Sequence, residues 1–360
     1  MSRSAGFGRW FHIHTTPDQQ QYTKMTPHPD QPAQPQIADD PRSKCVQIGR
    51  GIVQPALERL ITSGNPKIGA QRLARNASAH GIDLDLIWGV LGDPKLKQPV
   101  VRQVCMVVAG AGGTGMCFVS NPKADIGLGD GITQLAEISA SLKGALDGLK
   151  AIGNSRVRIA QMLFEPKQEW THEICQAAGM ICVGTLDYLR IGYEEVTTWA
   201  DVDPDWGEGI EVLSFEELGQ DREMLAIALE DSYEGTLDCP ELCGMRPMED
   251  VIASHESTGE FDPSRWWIVL KDNHPVGCCL LSHCPANESV ELVYLGLSPK
   301  VQGHGLGTRL LTHALKNLRL KDTVYEVTCA VDRRNVPASK VYMRLGFKRF
   351  DARVGYVRAM

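Results

Sequence analysis

Apolar positions along this chain recur in two rhythms, and their alternation lays out two runs of elements in similar order. In the first run, alternating or short continuous apolar stretches predict strands at 45–48, 86–90, 101–109, 116–120 and 157–164. A three-to-four-residue period predicts helices over 53–63, 70–80, 132–152 and 168–178, and 180–190 reads as a strand pair. The second run begins with a strand at 210–215 and a helix over 216–234, then an irregular stretch, 238–261, with a short helix near 248–255. Strands at 266–271, 276–283 and 289–297 follow, joined by hairpin turns at 272–275 and 284–287. A glycine-rich loop leads into a helix over 306–320, then a strand at 324–331, a helix at 336–345 and a strand pair from Phe347 to the end. An offset of 167 residues lays Phe164-Glu165-Pro166-Lys167-Gln168 on Val331-Asp332-Arg333-Arg334-Asn335 and Gly179 on Gly346. The order of elements supports this self-similarity more than any one identity does.

This pattern divides the chain into units 44–195 and 210–360 joined by a linker, 196–209, acidic and broken by proline and glycine. Its 360 residues suit two cores, since one seldom grows past ~250–300 residues. Residues 1–43, rich in Pro, Gln, Asp and His, lack apolar period and are expected to be disordered, with Met25 a second possible start. The formal charge of -7 argues against a nucleic-acid partner. No apolar run reaches the ~20 residues a bilayer demands, and no secretory leader is visible. Eleven cysteines, an odd number set in apolar stretches, fit reduced thiols in a cytoplasm. Cys239 and Cys243 form a CxxxC without a second pair, a poor metal signal, so no metal is expected. Adjacent Cys278 and Cys279 should face opposite sides of a strand.

The sharpest local signal is Tyr294-Leu295-Gly296-Leu297-Ser298-Pro299-Lys300-Val301-Gln302-Gly303-His304-Gly305-Leu306-Gly307-Thr308. A strand runs into glycines, and the glycines open a helix. Helix N-termini present unpaired N–H groups and the positive end of the dipole, so an anion site is the functional reading and a plain connector the alternative. A Walker loop is excluded because Gly307 is followed by Thr308 with no lysine between, and a dinucleotide fingerprint because Leu310 stands where its third glycine belongs. Gly110-Ala111-Gly112-Gly113-Thr114-Gly115 does match that fingerprint, but a strand comes after it, so a hairpin turn is expected.

Residues Gln302–Gly307 resemble the acyl-CoA loop of the GNAT N-acetyltransferase superfamily. Asn335-x-x-Ala338-x-x-x-Tyr342-x-x-x-Gly346-Phe347 is similar to that family's distal signature. Two such units in one chain resemble the tandem architecture of mycothiol synthase and related members. The resemblance implies an α/β fold of two tandem GNAT-like units, each a mixed, mostly antiparallel twisted sheet flanked by helices. It implies an N-acetyltransferase that passes acetyl from acetyl-CoA to a primary amine by direct attack, the acceptor a small molecule or a protein N-terminus. The alternative is a non-catalytic acyl-CoA-binding regulator.

On the same resemblance, backbone N–H groups of Val301, Gln302, Gly303, His304, Gly305, Leu306, Gly307 and Thr308 would hold the pyrophosphate. The strand before the loop would splay from its neighbour, with Leu295, Gly296 and Leu297 along the pantetheine arm and Asn335 close by. Asn335 should also cap its helix, with Pro337 in the first turn. Glu291 stands where members carry a general base, or else is a solvated carboxylate; alternation puts it on the face of Val293 and Leu295. Tyr342 matches the tyrosine that protonates the departing thiolate, or else is a packed helix aromatic. Tyr233, Asp238, Cys239 and Glu241 are candidates for acceptor recognition or surface filler, and His304 for a phosphate contact. In the first unit, the cluster 127–131 has Ala124 in place of Gln or Arg, and Cys175 replaces the tyrosine. That unit is expected to be a degenerate half that walls the substrate.

Overall fold

The computed structural model describes residues 44–92, 100–122, 131–153, 156–199, 204–318 and 324–360. The expected disorder of 1–43, the glycine cluster of 127–130 with Ala124, the linker's 200–203 and the helix end at 320 lie outside the described residues.

The first half contributes strands β1 (Cys45–Gln47), β2 (Ile87–Leu91), β3 (Val101–Ala109), β4 (Thr114–Val119), β5 (Ile159–Phe164) and β6 (Ile181–Gly192). Its helices are α1 (Val53–Leu60), α2 (Pro66–Asn76), α3 (Gly131–Ala151), α4 (Trp170–Ala177) and α5 (Tyr193–Thr197). The second half contributes β7 (Ile210–Ser214), β8 (Trp266–Lys271), β9 (His274–Cys284), β10 (Ser289–Leu297), β11 (Glu326–Asp332) and β12 (Lys348–Ala359). Its helices are α6 (Arg222–Tyr233), α7 (Met248–Glu256), α8 (Leu306–Lys316) and α9 (Val336–Arg344). The 167-residue offset holds in three dimensions: β5 and β6 start at 159 and 181, and β11 and β12 start at 326 and 348.

All these strands form one sheet in the order β1-β2-β3-β4-β5-β12-β6-β11-β10-β9-β8-β7, which reads as two copies of one unit related across its centre. Neighbours pair antiparallel except β4 with β5 and β10 with β11, which are parallel. The closing strands of the two halves are exchanged: β6 pairs with β11, and β12 with β5, while the two pair with each other. The strand pairs expected at 180–190 and from Phe347 are therefore each one twelve-residue strand. The physical reason is lateral. Each needs two partners for its backbone groups, and both edges are satisfied by strands distant in sequence rather than by a local hairpin.

Apolar side chains divide by face. On one, α8 and α9 cover Val290, Leu292, Val327 and Val331, and α3 and α4 cover Cys105, Cys117 and Met162. On the other, α6 and α7 cover Trp266, Ile268, Cys278 and Leu280, while α1 and α2 cover Ile87, Val104 and Met106. Cys278 and Cys279 thus face opposite cores, as alternation requires. The helix expected from residue 216 begins only at Arg222. Gln220 and Gly219 take positive φ, and Asp221 caps the helix by accepting from the N–H groups of Glu223 and Met224.

The Gly110–Gly115 stretch is a hairpin turn between β3 and β4, with Gly112 and Gly113 at φ of 62° and 66°. It also seats the second half. A Cβ at Gly112 would collide with the Asp250 carbonyl of α7. Arg246 donates to the Gly112 carbonyl at 2.9 Å, and Asp250 pairs with Arg158 at 2.8 Å.

Candidate active site

Strand β10 keeps parallel register with β11 through four rungs, the last joining Leu292 to Cys329. Beyond it β10 continues with β9 alone to Leu297, and β11 continues with β6 alone to Asp332. The sheet is open between residues 294–297 and 330–332. A β-bulge at Leu292/Tyr294 accompanies the parting. It also corrects the expected facing of Glu291. The bulge inserts one residue, so Glu291 shares the α6/α7 face with Val293 and Tyr294, while Leu295 and Leu297 turn to the α8 core. Gly296 must be glycine here, because the Tyr294 ring lies across it.

The loop at the end of β10 is built to leave amides free. Val301 and Leu306 are 7% and 3% exposed and anchor it in the core; the Val301 N–H, expected to face phosphate, instead donates to the Ser298 carbonyl at 3.0 Å and closes the turn. Ser298 is buried and its hydroxyl accepts from the Lys300 N–H at 3.5 Å. Gln302 folds back to donate to the Leu297 carbonyl at 2.7 Å. Gly303 and Gly305 take φ of 95° and 75°, a region costly to other residues. Gly305 is the N-cap of α8 and supplies no side-chain cap, leaving the first-turn N–H groups of Leu306, Gly307 and Thr308 without an intrahelical acceptor. His304 is exposed at the mouth of this turn. Arg309, which no sequence motif singles out, brings Nη1 to 3.7 Å from where a Gly305 Cβ would stand, and its Nε is buried without a partner among the described residues. Its one signal in the sequence is a cation in the first turn of the helix, two residues after the last loop glycine.

Glu291 sits one residue before the final rung, between Ser282 on β9 and Thr328 on β11. Burial raises its pKa above the ordinary carboxylate value, against a hydrogen bond from the Cys284 thiol at 3.9 Å. The facing Ser282 hydroxyl is buried without a partner among the described residues. Tyr342 reaches the gap from α9 and is 5% exposed, with its ring 5.8 Å from that of Phe347. Burial, with Cys329, Asp238 and Cys279 close by, holds its hydroxyl pKa well above 10, so the phenol keeps its proton. Asn335 caps α9 by accepting from the Ala338 N–H at 3.2 Å, as its sequence position suggested.

The segment after α6 closes the far end of the gap. Asp238 accepts from the Asp332 N–H at 2.8 Å, and the Cys239 N–H donates to the Asp332 carboxylate at 3.1 Å. Glu241 pairs with Arg334 at 2.7 Å, and Arg334 also holds Asp332. Burial pushes Asp238 up, against the hydrogen bond it accepts from the Asp332 N–H. Tyr233 packs edge-on to Tyr294 at 5.6 Å, and the Tyr294 hydroxyl meets Ser232 at 2.8 Å. Asp332 and Arg334 are not legible as site residues in the sequence, because nothing in their spacing announces a pairing across some 90 residues, and the same holds for Tyr294 with Ser232 across 62. In the first half, Cys175 is fully buried and burial raises its thiol pKa strongly, which suits packing better than nucleophilic attack. A cavity of about 350 Å³ lined by Asp83, Arg156, Arg158 and Asp250 touches none of the loop or gap residues.

The chain is similar to known proteins. The model of the acetyltransferase (GNAT) family matches residues 228–347, which include Glu291, the loop and Tyr342. A mycothiol acetyltransferase from Saccharopolyspora erythraea is 30% identical over 110 residues, covering 31% of this chain and 36% of that one. Another, from Rhodococcus erythropolis, is 34% identical over 130 residues, covering 34% and 42%. The chain thus spans less than half the length of these relatives. The fold of a GCN5-related N-acetyltransferase from Sphaerobacter thermophilus is similar over 88% of this chain and 95% of that one, with TM-score 0.51 at 18% identity. Residues 228–347 are thus similar to the acetyltransferase (GNAT) family, and the fold of the chain is that of two GNAT-like units in tandem.

Proposed function

We propose that this protein is an N-acetyltransferase that carries acetyl from acetyl-CoA to the primary amine of an acceptor bound on the α6/α7 face. The parting of β10 from β11 immediately before a loop of open amides carries the reading. The pyrophosphate would rest on the N–H groups from Gln302 to Thr308, with Arg309 beside them, and the pantetheine arm would lie along Leu295, Gly296 and Leu297. Units 44–195 and 210–360 then have different tasks, the second binding acetyl-CoA and the first walling the acceptor.

Glu291 takes a proton from the acceptor ammonium, directly or through water, and its raised pKa suits that step. The freed amine attacks the thioester carbonyl; the N–C bond forms and the C–S bond breaks. Tyr342 delivers its proton to the departing sulfur, and the proton shed by the new amide nitrogen restores the phenol, directly or through water. A phenol held well above its usual pKa is a weak donor in water, but burial raises the Cys279 and Cys329 thiols in the same gap as well. A thiolate released there would be correspondingly basic, which restores the driving force.

Isothermal titration of acetyl-CoA into the intact protein and a Gly305→Glu variant tests the placement. The variant puts a carboxylate among the phosphate-binding amides, so binding should vanish; equal affinity refutes it. Release of free thiol in the presence of amines separates an enzyme from a binding protein.

A further inference from the structure

The strand exchange gives the first half a share in the second half's chemistry. Strand β6 belongs to the first unit by sequence, yet it lies directly beside β11, with Tyr188 opposite Ala330 and Arg190 opposite Thr328. Ala330 is in the middle of the sheet with a strand on one side and the gap on the other, and it is nonetheless exposed. Alternation puts Thr328 and Ala330 on the α6/α7 face with Glu291, away from the core that holds Val327, Cys329 and Val331. Tyr188 stands on this same face, since its neighbours Leu189 and Ile191 point into the α8 core.

The surroundings of Tyr188 are polar, but their charges are already matched. Arg353 pairs with Asp351 at 2.5 Å, and Asp351 is the cross-strand partner of Tyr188. Arg190 pairs with Glu326 at 3.3 Å, and Arg334 with Asp332 and Glu241. The Tyr188 ring is braced edge-on by Phe350 at 6.3 Å. Its hydroxyl makes no hydrogen bond among the described residues, although Glu291 is close enough to act on it electrostatically. Burial, with Glu291 and Asp351 adding to it, pushes the phenol up to about 12, so the hydroxyl is neutral and can both donate and accept.

We infer that Tyr188, carried by the exchanged strand of the first unit, is an acceptor-specificity residue of the second unit's site, where its hydroxyl binds an uncharged hydrogen-bonding group next to the reacting amine. The inference rests on the acetyl-transfer reading above. Apart from Glu291, which takes the reacting ammonium, these charges are matched in ion pairs, whereas the unpartnered hydroxyl is free to hydrogen-bond an uncharged group. The first unit thereby completes the acceptor site of the second.

The test compares wild type, Tyr188→Phe and Tyr188→Ala at saturating acetyl-CoA, following thiol release with ethanolamine, glycinamide and propylamine. Wild type should favour ethanolamine or glycinamide over propylamine. Tyr188→Phe should raise KM for the favoured amine by roughly five- to tenfold, the worth of one neutral hydrogen bond, and leave propylamine and kcat unchanged. Tyr188→Ala should weaken all three, while titration of acetyl-CoA gives the wild-type Kd for both variants. Unchanged amine KM values in Tyr188→Phe overturn the inference. So does parallel weakening of acetyl-CoA, which would mark a structural role, or the absence of turnover of ethanolamine and glycinamide by wild type that binds acetyl-CoA. A wild-type protein that fails to bind acetyl-CoA at all instead defeats the reading beneath it.

Discussion

Replacing His255 by leucine should flatten the acid side of the protein's stability profile. This histidine lies on α7 beside Tyr294, with ring centroids 5.8 Å apart, and its Nε2 is buried without a partner among the described residues. Burial, with the Arg246 cation adding to it, depresses its pKa from 6.5 to about 4. A depressed base contributes stability that is present above pH 6.5 and lost as pH falls toward 4, because the unfolded chain takes up the proton first. The full difference of about 2.5 units corresponds to ~3 kcal/mol, and about 2 kcal/mol of it is gone by pH 5. Urea unfolding followed by tryptophan fluorescence at pH 7 and pH 5 measures this for wild type and His255→Leu. Carboxylates titrate in both proteins, so the difference between the two pH dependences isolates His255. At pH 7 the leucine should cost little, since it removes an orphaned nitrogen. If both proteins lose the same stability between pH 7 and pH 5, within ~0.5 kcal/mol, His255 is not a buried group held neutral by its surroundings.

Further expectations concern the site and the sheet. Glu291→Gln should lower kcat/KM by about 10²–10⁴. It should also abolish the rise of activity with pH that the raised Glu291 pKa predicts just above the usual carboxylate range, and a surviving limb would move the base elsewhere. Arg309→Met keeps the stem but removes the cation by Gly305; acetyl-CoA should bind about tenfold more weakly with acceptor KM unchanged, as measured by calorimetry and initial rates. A fragment of residues 204–360 lacks β5 and β6, so β12 loses both of its partners and β11 loses one, which leaves three edges unpaired. It should be insoluble or unfolded by circular dichroism, and a folded, acetyl-CoA-binding fragment would show that the exchange is dispensable.

Much of the site is legible in the residues. The loop's glycines and Asn335 as a cap follow from local rules, because turn conformation and helix capping depend on a few neighbouring residues, whereas Tyr342 is marked only by its resemblance to the family signature. The hairpin at Gly110–Gly115 is likewise set locally, by the strand-forming run Met116–Val119 on its C-terminal side. The facing of Glu291 is not, since a single bulge reverses alternation and leaves no mark in the apolar pattern.

The sequence by itself determined the set of elements, their repeat at an interval of 167, and the open amides at one turn. All are governed by short-range backbone preference and apolar period. Only the tertiary structure decided that β6 and β12 change places, that Asp238 meets Asp332, and that Tyr188 of the first half lies opposite Ala330 of the second. Those outcomes depend on which distant strand satisfies an edge of unpaired N–H and C=O groups, and strand pairing is chosen by the whole sheet rather than by the residues of one strand.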